Sequence, residues 1–176
     1  LTNKCIFRKI FSQRTTNSGI ASVNRRNGKK GIRHSIIFSA AKVDFKNFAI
    51  GGWKASNGVA DANKIEKEKP DLVIIAYGMN DSGGSTPEAY LENIKKIMSI
   101  IKESSPEVEF VLVSPMLPNA EWHNPNMERF PAYRDALASI SGNGVVLADM
   151  TSIWGELLKR KSFHDITGNG VNHPND

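Results

Sequence analysis

The sequence predicts an α/β domain on a mainly parallel sheet, and three observations carry that prediction. Apolar runs of strand length recur at Leu72–Tyr77, Phe110–Val113 and Val145–Ala148. Segments with helical spacing or helix caps separate them. The runs are apolar at successive rather than alternate positions, which suits strands buried on both faces of a parallel sheet with right-handed crossovers.

Taken in order, residues 1–41 carry no sustained period. Ile36-Ile37-Phe38 is apolar but short, and Asn24–Gly31 is basic and turn-like. They read as a basic, irregular segment ahead of an α/β domain at residues 42–176. Val43–Ile50 reads as a strand ending in Gly51-Gly52, and Asn57–Glu68 as a short helix closed by Pro70. After the Leu72–Tyr77 strand comes a loop whose Gly83-Gly84-Ser85 reads as flexible. The next helix has Thr86 as N-cap, Pro87 at its first position and Glu88 at the positive end of its dipole. Leu91, Ile94, Ile97, Met98 and Ile101 then form one apolar face. Met127–Ile140 reads as a helix with Pro131 near its start. Ile153, Trp154, Leu157 and Leu158 mark a final helix with a basic end, Lys159-Arg160-Lys161.

Bulk properties narrow the classes. A chain of 176 residues suffices for one ordinary domain, and no apolar run approaches the ~20 residues that span a bilayer. One cysteine, Cys5, excludes an internal disulfide and a Cys-based zinc site. The net charge of +5 hides an asymmetry. Residues 1–41 hold nine Lys/Arg and no acid, whereas the remainder holds 14 basic and 18 acidic residues. A basic arm for nucleic acid is one reading. The segment lacks aromatic interleaving and any known nucleic-acid module, so it is read as lying outside the fold, with no nucleic-acid partner expected.

In open α/β sheets, sites form beyond the carboxyl ends of the strands. Gly51-Gly52, Gly78-Met79-Asn80-Asp81, Ser114-Pro115-Met116 and Asp149 all follow predicted strands, so they gather at one rim. Asn80 can aim an amide donor at a developing oxyanion, with the N–H of Gly52, or of its neighbour Gly51, as a second donor. His173 sits beside Pro174 in the string Asn169-Gly170-Val171-Asn172-His173-Pro174, which suits a general base held at a fixed angle.

Over residues 43–176 these blocks resemble the SGNH/GDSL hydrolases, a family of serine esterases and lipases. The resemblance implies a flavodoxin-like three-layer α/β/α fold, here incomplete at both ends, with a corrupted first block and no closing helix after His173. It implies His173 as base and Asn80 and Gly52 as oxyanion donors, with no cofactor or metal. The family's Gly-Asp-Ser nucleophile motif is not in this sequence. Ser18, a suitable distance ahead of Gly52, is the candidate nucleophile. The family commonly has Asp three residues before its His, where this chain has Gly170. Asp165 is the nearest upstream carboxylate and the candidate acid partner, with a Ser–His dyad as the alternative.

The implied substrate is a small-molecule or carbohydrate ester of an acyl or acetyl group, with no membrane partner. Trp53 and Trp122 either stack on sugar rings or pack, and Trp154 belongs to the core. The expected activity of the chain as written is weak or absent. The alternatives are a non-catalytic glycan-binding remnant and the basic nucleic-acid arm. Oligomeric state stays open. The resemblance implies a secreted or periplasmic location if a signal peptide was lost, and a cytoplasmic one otherwise.

Overall fold

The computed structural model describes residues 19–25, 43–121 and 126–175. Among them, five strands form one sheet. They are β1 (Gly19–Arg25), β2 (Val43–Asn47), β3 (Leu72–Ala76), β4 (Glu109–Val113) and β5 (Val145–Ala148). Their order across the sheet is β2-β1-β3-β4-β5. The helices are α1 (Ala55–Glu66), α2 (Pro87–Ser104), α3 (Arg129–Ser139), α4 (Met150–Leu158) and α5 (Phe163–Ile166). Helix α1 packs on α2, α2 on α3, and α3 on α4.

Two features of the sheet depart from the expectation. The strands β3, β4 and β5 are parallel as predicted, with Val73 opposite Phe110 and Phe110 opposite Val145. Strand β1, however, lies within the stretch read as irregular, and it runs antiparallel to both neighbours. Its residues offer no apolar run, so the pairing on both sides, rather than local propensity, makes it a strand. The second departure is β5. Val146, on the strand that ends the order among the described residues, is 55% exposed, although its run reads as buried on both faces.

The remaining elements follow from local chemistry. Strand β2 stops at Asn47, short of the expected Ile50, where the Asn47 side chain accepts the Ala49 N–H (2.9 Å) and turns the chain out of the ladder. Helix α1 starts two residues earlier than expected, because Asn57 Oδ1 accepts the Lys54 N–H (2.9 Å) and caps it there. Its small residues Ala55, Gly58 and Ala62 let it approach closely. In α2, Thr86 Oγ1 accepts the Ala89 N–H (3.2 Å), and Tyr90, Ile94, Ile97, Met98 and Ile101 are buried. Pro131 falls in the first turn of α3, where its missing N–H breaks no helical bond. The rings of Tyr90 and Tyr133 meet with centroids 4.3 Å apart, joining α2 to α3 for about 1 kcal/mol beyond the area buried. Trp154 is buried, as expected of a core residue, and Trp53 packs against the same core. No described helix is long and apolar enough to cross a membrane.

Candidate active site

The loop after β3 is built on two residues, Gly78 and Asp81. Gly78 has φ +124°, and a Cβ there would sit 2.8 Å from Pro115 Cγ. Only glycine allows both that dihedral and the close approach of the segment following β4. Asp81 is fully buried. Its carboxylate accepts the Gly78 N–H (3.1 Å) and the Ala55 N–H at both oxygens (3.1 and 3.2 Å). Burial pushes the Asp81 carboxyl above its ordinary range, and the Ala55 and Gly78 N–H groups and the Lys54 charge offset part of that. Ala55 opens α1, so the carboxylate also meets the positive end of that helix.

The rest of this loop is fastened from outside. Tyr90 donates to the Tyr77 carbonyl (3.1 Å), Arg129 Nη1 to the Ser82 carbonyl (2.9 Å) and Tyr133 to the Ser85 carbonyl (2.7 Å). The Gly84 and Ser85 N–H groups both bond the Asp81 carbonyl. Gly83-Gly84-Ser85 is therefore a held turn and not the flexible loop expected.

Asn80 projects from this turn toward the Gly51-Gly52 turn. Its Nδ2 donates to the Trp53 carbonyl at 3.1 Å. Among the described residues nothing accepts its second N–H. Gly52 is exposed with φ +79°, and a Cβ there would meet nothing within 4 Å. Its need for glycine is thus conformational within the fold.

His173 lies on the loop from Thr167 to Asn175. The loop is closed by a Thr167–Pro174 bridge and by Gly168 N–H donating to the His173 carbonyl (2.8 Å). Asn169 organises its interior. One oxygen, Oδ1, accepts the N–H groups of Val171 (3.0 Å), Asn172 (3.0 Å) and His173 (3.1 Å), while Nδ2 donates to Asn172 Oδ1 (3.0 Å). Gly170 has φ +69°, the left-handed conformation this turn needs. The loop is tied to the segment after β4 through Asn119, whose N–H donates to the Val171 carbonyl (2.8 Å) and whose Nδ2 donates to the Gly170 carbonyl (3.0 Å). That same segment carries Pro115 against Gly78, so one stretch of chain contacts both the Asn80 turn and the His173 loop.

The other candidates stand elsewhere. The Asp165 carboxylate is held by Ser162 N (2.8 Å) and Ser162 Oγ (2.7 Å) in the capping box of α5. Those bonds hold it below its ordinary range. No bond among the described residues joins it to the His173 ring. Asp149 caps α4 and binds Arg134 Nε at 2.8 Å. Ser18 and Trp122 lie outside the described residues. Gly19, next after Ser18 in sequence, pairs with Ala76 at the carboxyl end of β3. Among the described residues, no three His, Cys, Asp or Glu side chains gather as a metal site requires. Asp81, Asn119 and Asn169 are not among the candidate site residues of the sequence. An Asp or Asn in a turn commonly caps backbone, as Asp81 does, but which backbone groups each meets appears only in the fold.

The profile of the GDSL-like lipase/acylhydrolase family matches residues 20–176. The chain belongs to that family, and its α/β fold is that of these ester hydrolases. No curated protein matches the chain. Among solved structures it is similar to a carbohydrate esterase of family 3 from Talaromyces cellulolyticus, at 17% identity and TM-score 0.55 over 71% of this chain and 60% of that one. It is also similar to a mutant acetyl esterase holding an acetate ion, at 16% identity and TM-score 0.56 over 71% and 60%. A third, called a GDSL-like lipase, is from Parabacteroides merdae, at 21% identity and TM-score 0.58 over 72% and 63%. The chain thus spans about three fifths of the length of these proteins.

Proposed function

We propose that Asn80, Gly52 and His173 share one rim, the acyl-transfer site of a serine ester hydrolase acting on acyl or acetyl esters, with carbohydrate esters the first to test. The observation that carries this reading is the 3.1 Å bond from Asn80 Nδ2 to the Trp53 carbonyl. It keeps a side-chain amide beside the Gly52 turn, with a second N–H available to an oxyanion. In the proposed step a serine Oγ attacks the ester carbonyl and His173 takes the hydroxyl proton. Asn80 and the Gly52 N–H stabilise the oxyanion, and His173 returns the proton to the leaving alcohol. Water then hydrolyses the acyl-enzyme by the same route.

Ser18 is the proposed nucleophile. The support is that Gly19 pairs with Ala76, so β1 begins at the edge where β3 ends. A dyad is favoured over a triad, because the Asp165 carboxylate is engaged by Ser162. The two esterases of like fold suggest acetylated carbohydrates as substrates.

The test is p-nitrophenyl acetate hydrolysis together with fluorophosphonate labelling. Turnover is expected to be slow, to fall by about 10²–10³ in Asn80→Ala, and to vanish with the label in Ser18→Ala. Labelling that survives Ser18→Ala would move the nucleophile elsewhere. No label, and a rate indifferent to Asn80 and His173, would leave a binding protein on an esterase fold.

A further inference from the structure

The two turns proposed to stabilise the oxyanion come from segments far apart in sequence, and neither carries a covalent or metal tie to the other. One buried group spans them. Asp81 accepts N–H bonds from Gly78, at the root of the Asn80 turn, and from Ala55, two residues beyond Trp53. We infer that Asp81 is a positioning residue for the oxyanion site, a carboxylate clamp that sets Asn80 against the Gly52-Trp53 turn. This rests on the proposed role of Asn80.

The geometry favours a clamp over a mere filler of the core. The Asp81 side chain is fully buried, and an ionised carboxylate there is tolerated only if its oxygens are bonded. Each of its described bonds crosses between the turn after β3 and the start of α1, or closes the turn itself. The backbone of Asp81 is engaged as well, since its carbonyl accepts from Gly84 and Ser85. Neither the carboxylate nor the carbonyl can shift without breaking bonds on the other side. The neighbouring Asn80 side chain is short, so its amide goes where residue 81 is held. Asparagine at 81 would keep the shape. It would replace one acceptor oxygen by an N–H₂ donor facing backbone donors, and loosen the join without opening a cavity.

The experiment compares the wild-type chain with Asp81→Asn by NMR amide exchange and by p-nitrophenyl acetate kinetics. The expected result is exchange at least tenfold faster at Ala55 and Gly78 and a displaced Asn80 side-chain amide resonance. Exchange at Ile94 and Leu112 should be unchanged. Turnover should drop with KM within about twofold, since the loss falls on the transition state. Uniformly faster exchange at all four positions would make Asp81 a general stability residue and overturn the inference, as would unchanged exchange at Ala55 and Gly78. If the wild-type chain shows no turnover, the proposed hydrolase reading fails while the exchange and Asn80 resonances still decide the clamp. If Asp81→Asn does not fold, the wild-type chain decides. Ala55 and Gly78 must then be protected as strongly as Ile94, and protection no better than at the amide of the exposed turn residue Glu107 would overturn the clamp.

Discussion

At the residue scale, most of the site's order comes from side chains that bond backbone. Asn169 is the clearest case, because one oxygen satisfies three successive N–H groups and so fixes the path leading to His173. Replacing it by alanine returns those donors to water in an exposed loop, so the global cost is about 1 kcal/mol. The local effect should be larger. In Asn169→Ala the amides of Val171, Asn172 and His173 are expected to exchange at least tenfold faster, with the unfolding midpoint little changed. Asn169→Asp keeps the acceptor and should restore slow exchange. Equal exchange in all three proteins would show that the Thr167–Pro174 bridge, the Gly168–His173 bond and the Asn119 ties hold the loop without Asn169. Asn80 and His173 could be picked out because each sits in a polar string after a strand or beside a proline. Asn169 and Asp81 could not, since Asn and Asp cap backbone in any turn and only the folded chain reveals which groups they meet.

At the scale of elements, the strongest signals were those of local origin. Thr86, Pro87 and the spacing of Ile94, Ile97, Met98 and Ile101 define α2 without reference to the rest of the chain. Strands β3 and β4 announce themselves as apolar runs. Helix α1 is harder to read, because its contact face is alanine and glycine with Ile65 as its one large apolar residue. Gly58 shows why. A Cβ on it would lie 2.5 Å from Tyr77 Oη and under 3 Å from two ring carbons, and Tyr77 is itself buried. Gly58→Ala gains about 1 kcal/mol in helix propensity but forces α1 away from β3, at a cost of roughly 1–3 kcal/mol. A lower urea midpoint is expected, and a raised one would mean that the ring yields.

Asp149 makes another inter-element bond, to Arg134 of α3. Burial alone would raise its carboxyl, but Ser152 and Arg134 hold it below its ordinary value of 3.8. A group with a depressed folded pKa stabilises above the unfolded value and loses that contribution as pH falls through the folded one. Asp149→Asn should therefore lower the thermal midpoint at pH 7. The gap from wild type should narrow below pH 3.8, and a gap of constant size would show that the cap acts without its charge.

At the scale of the whole molecule, the sheet order matters most, and it was the part least readable in advance. Nothing in Gly19–Arg25 marks a strand, because its stability is supplied by partners distant in sequence. Its direction, opposite to both neighbours, has no local signature at all. Yet β1 is the only described strand that pairs with β2, and it covers the edge of β3. A domain beginning at residue 42 would keep β2 but leave it without a ladder. The backbone groups of β3 that face β1 would be unpaired, beside the buried Val73 and Ile75. If the division at residue 42 were a true domain boundary, a chain starting at Lys42 would unfold cooperatively in urea with the midpoint and slope of the full chain. The pairing argues for the opposite. The shorter chain should lose a sharp transition, bind a hydrophobic dye and aggregate through the freed edge of β3. A control chain starting at Ser18 keeps β1 and should behave as the full chain does. Failure of that control as well would assign the lost stability to residues ahead of β1 instead.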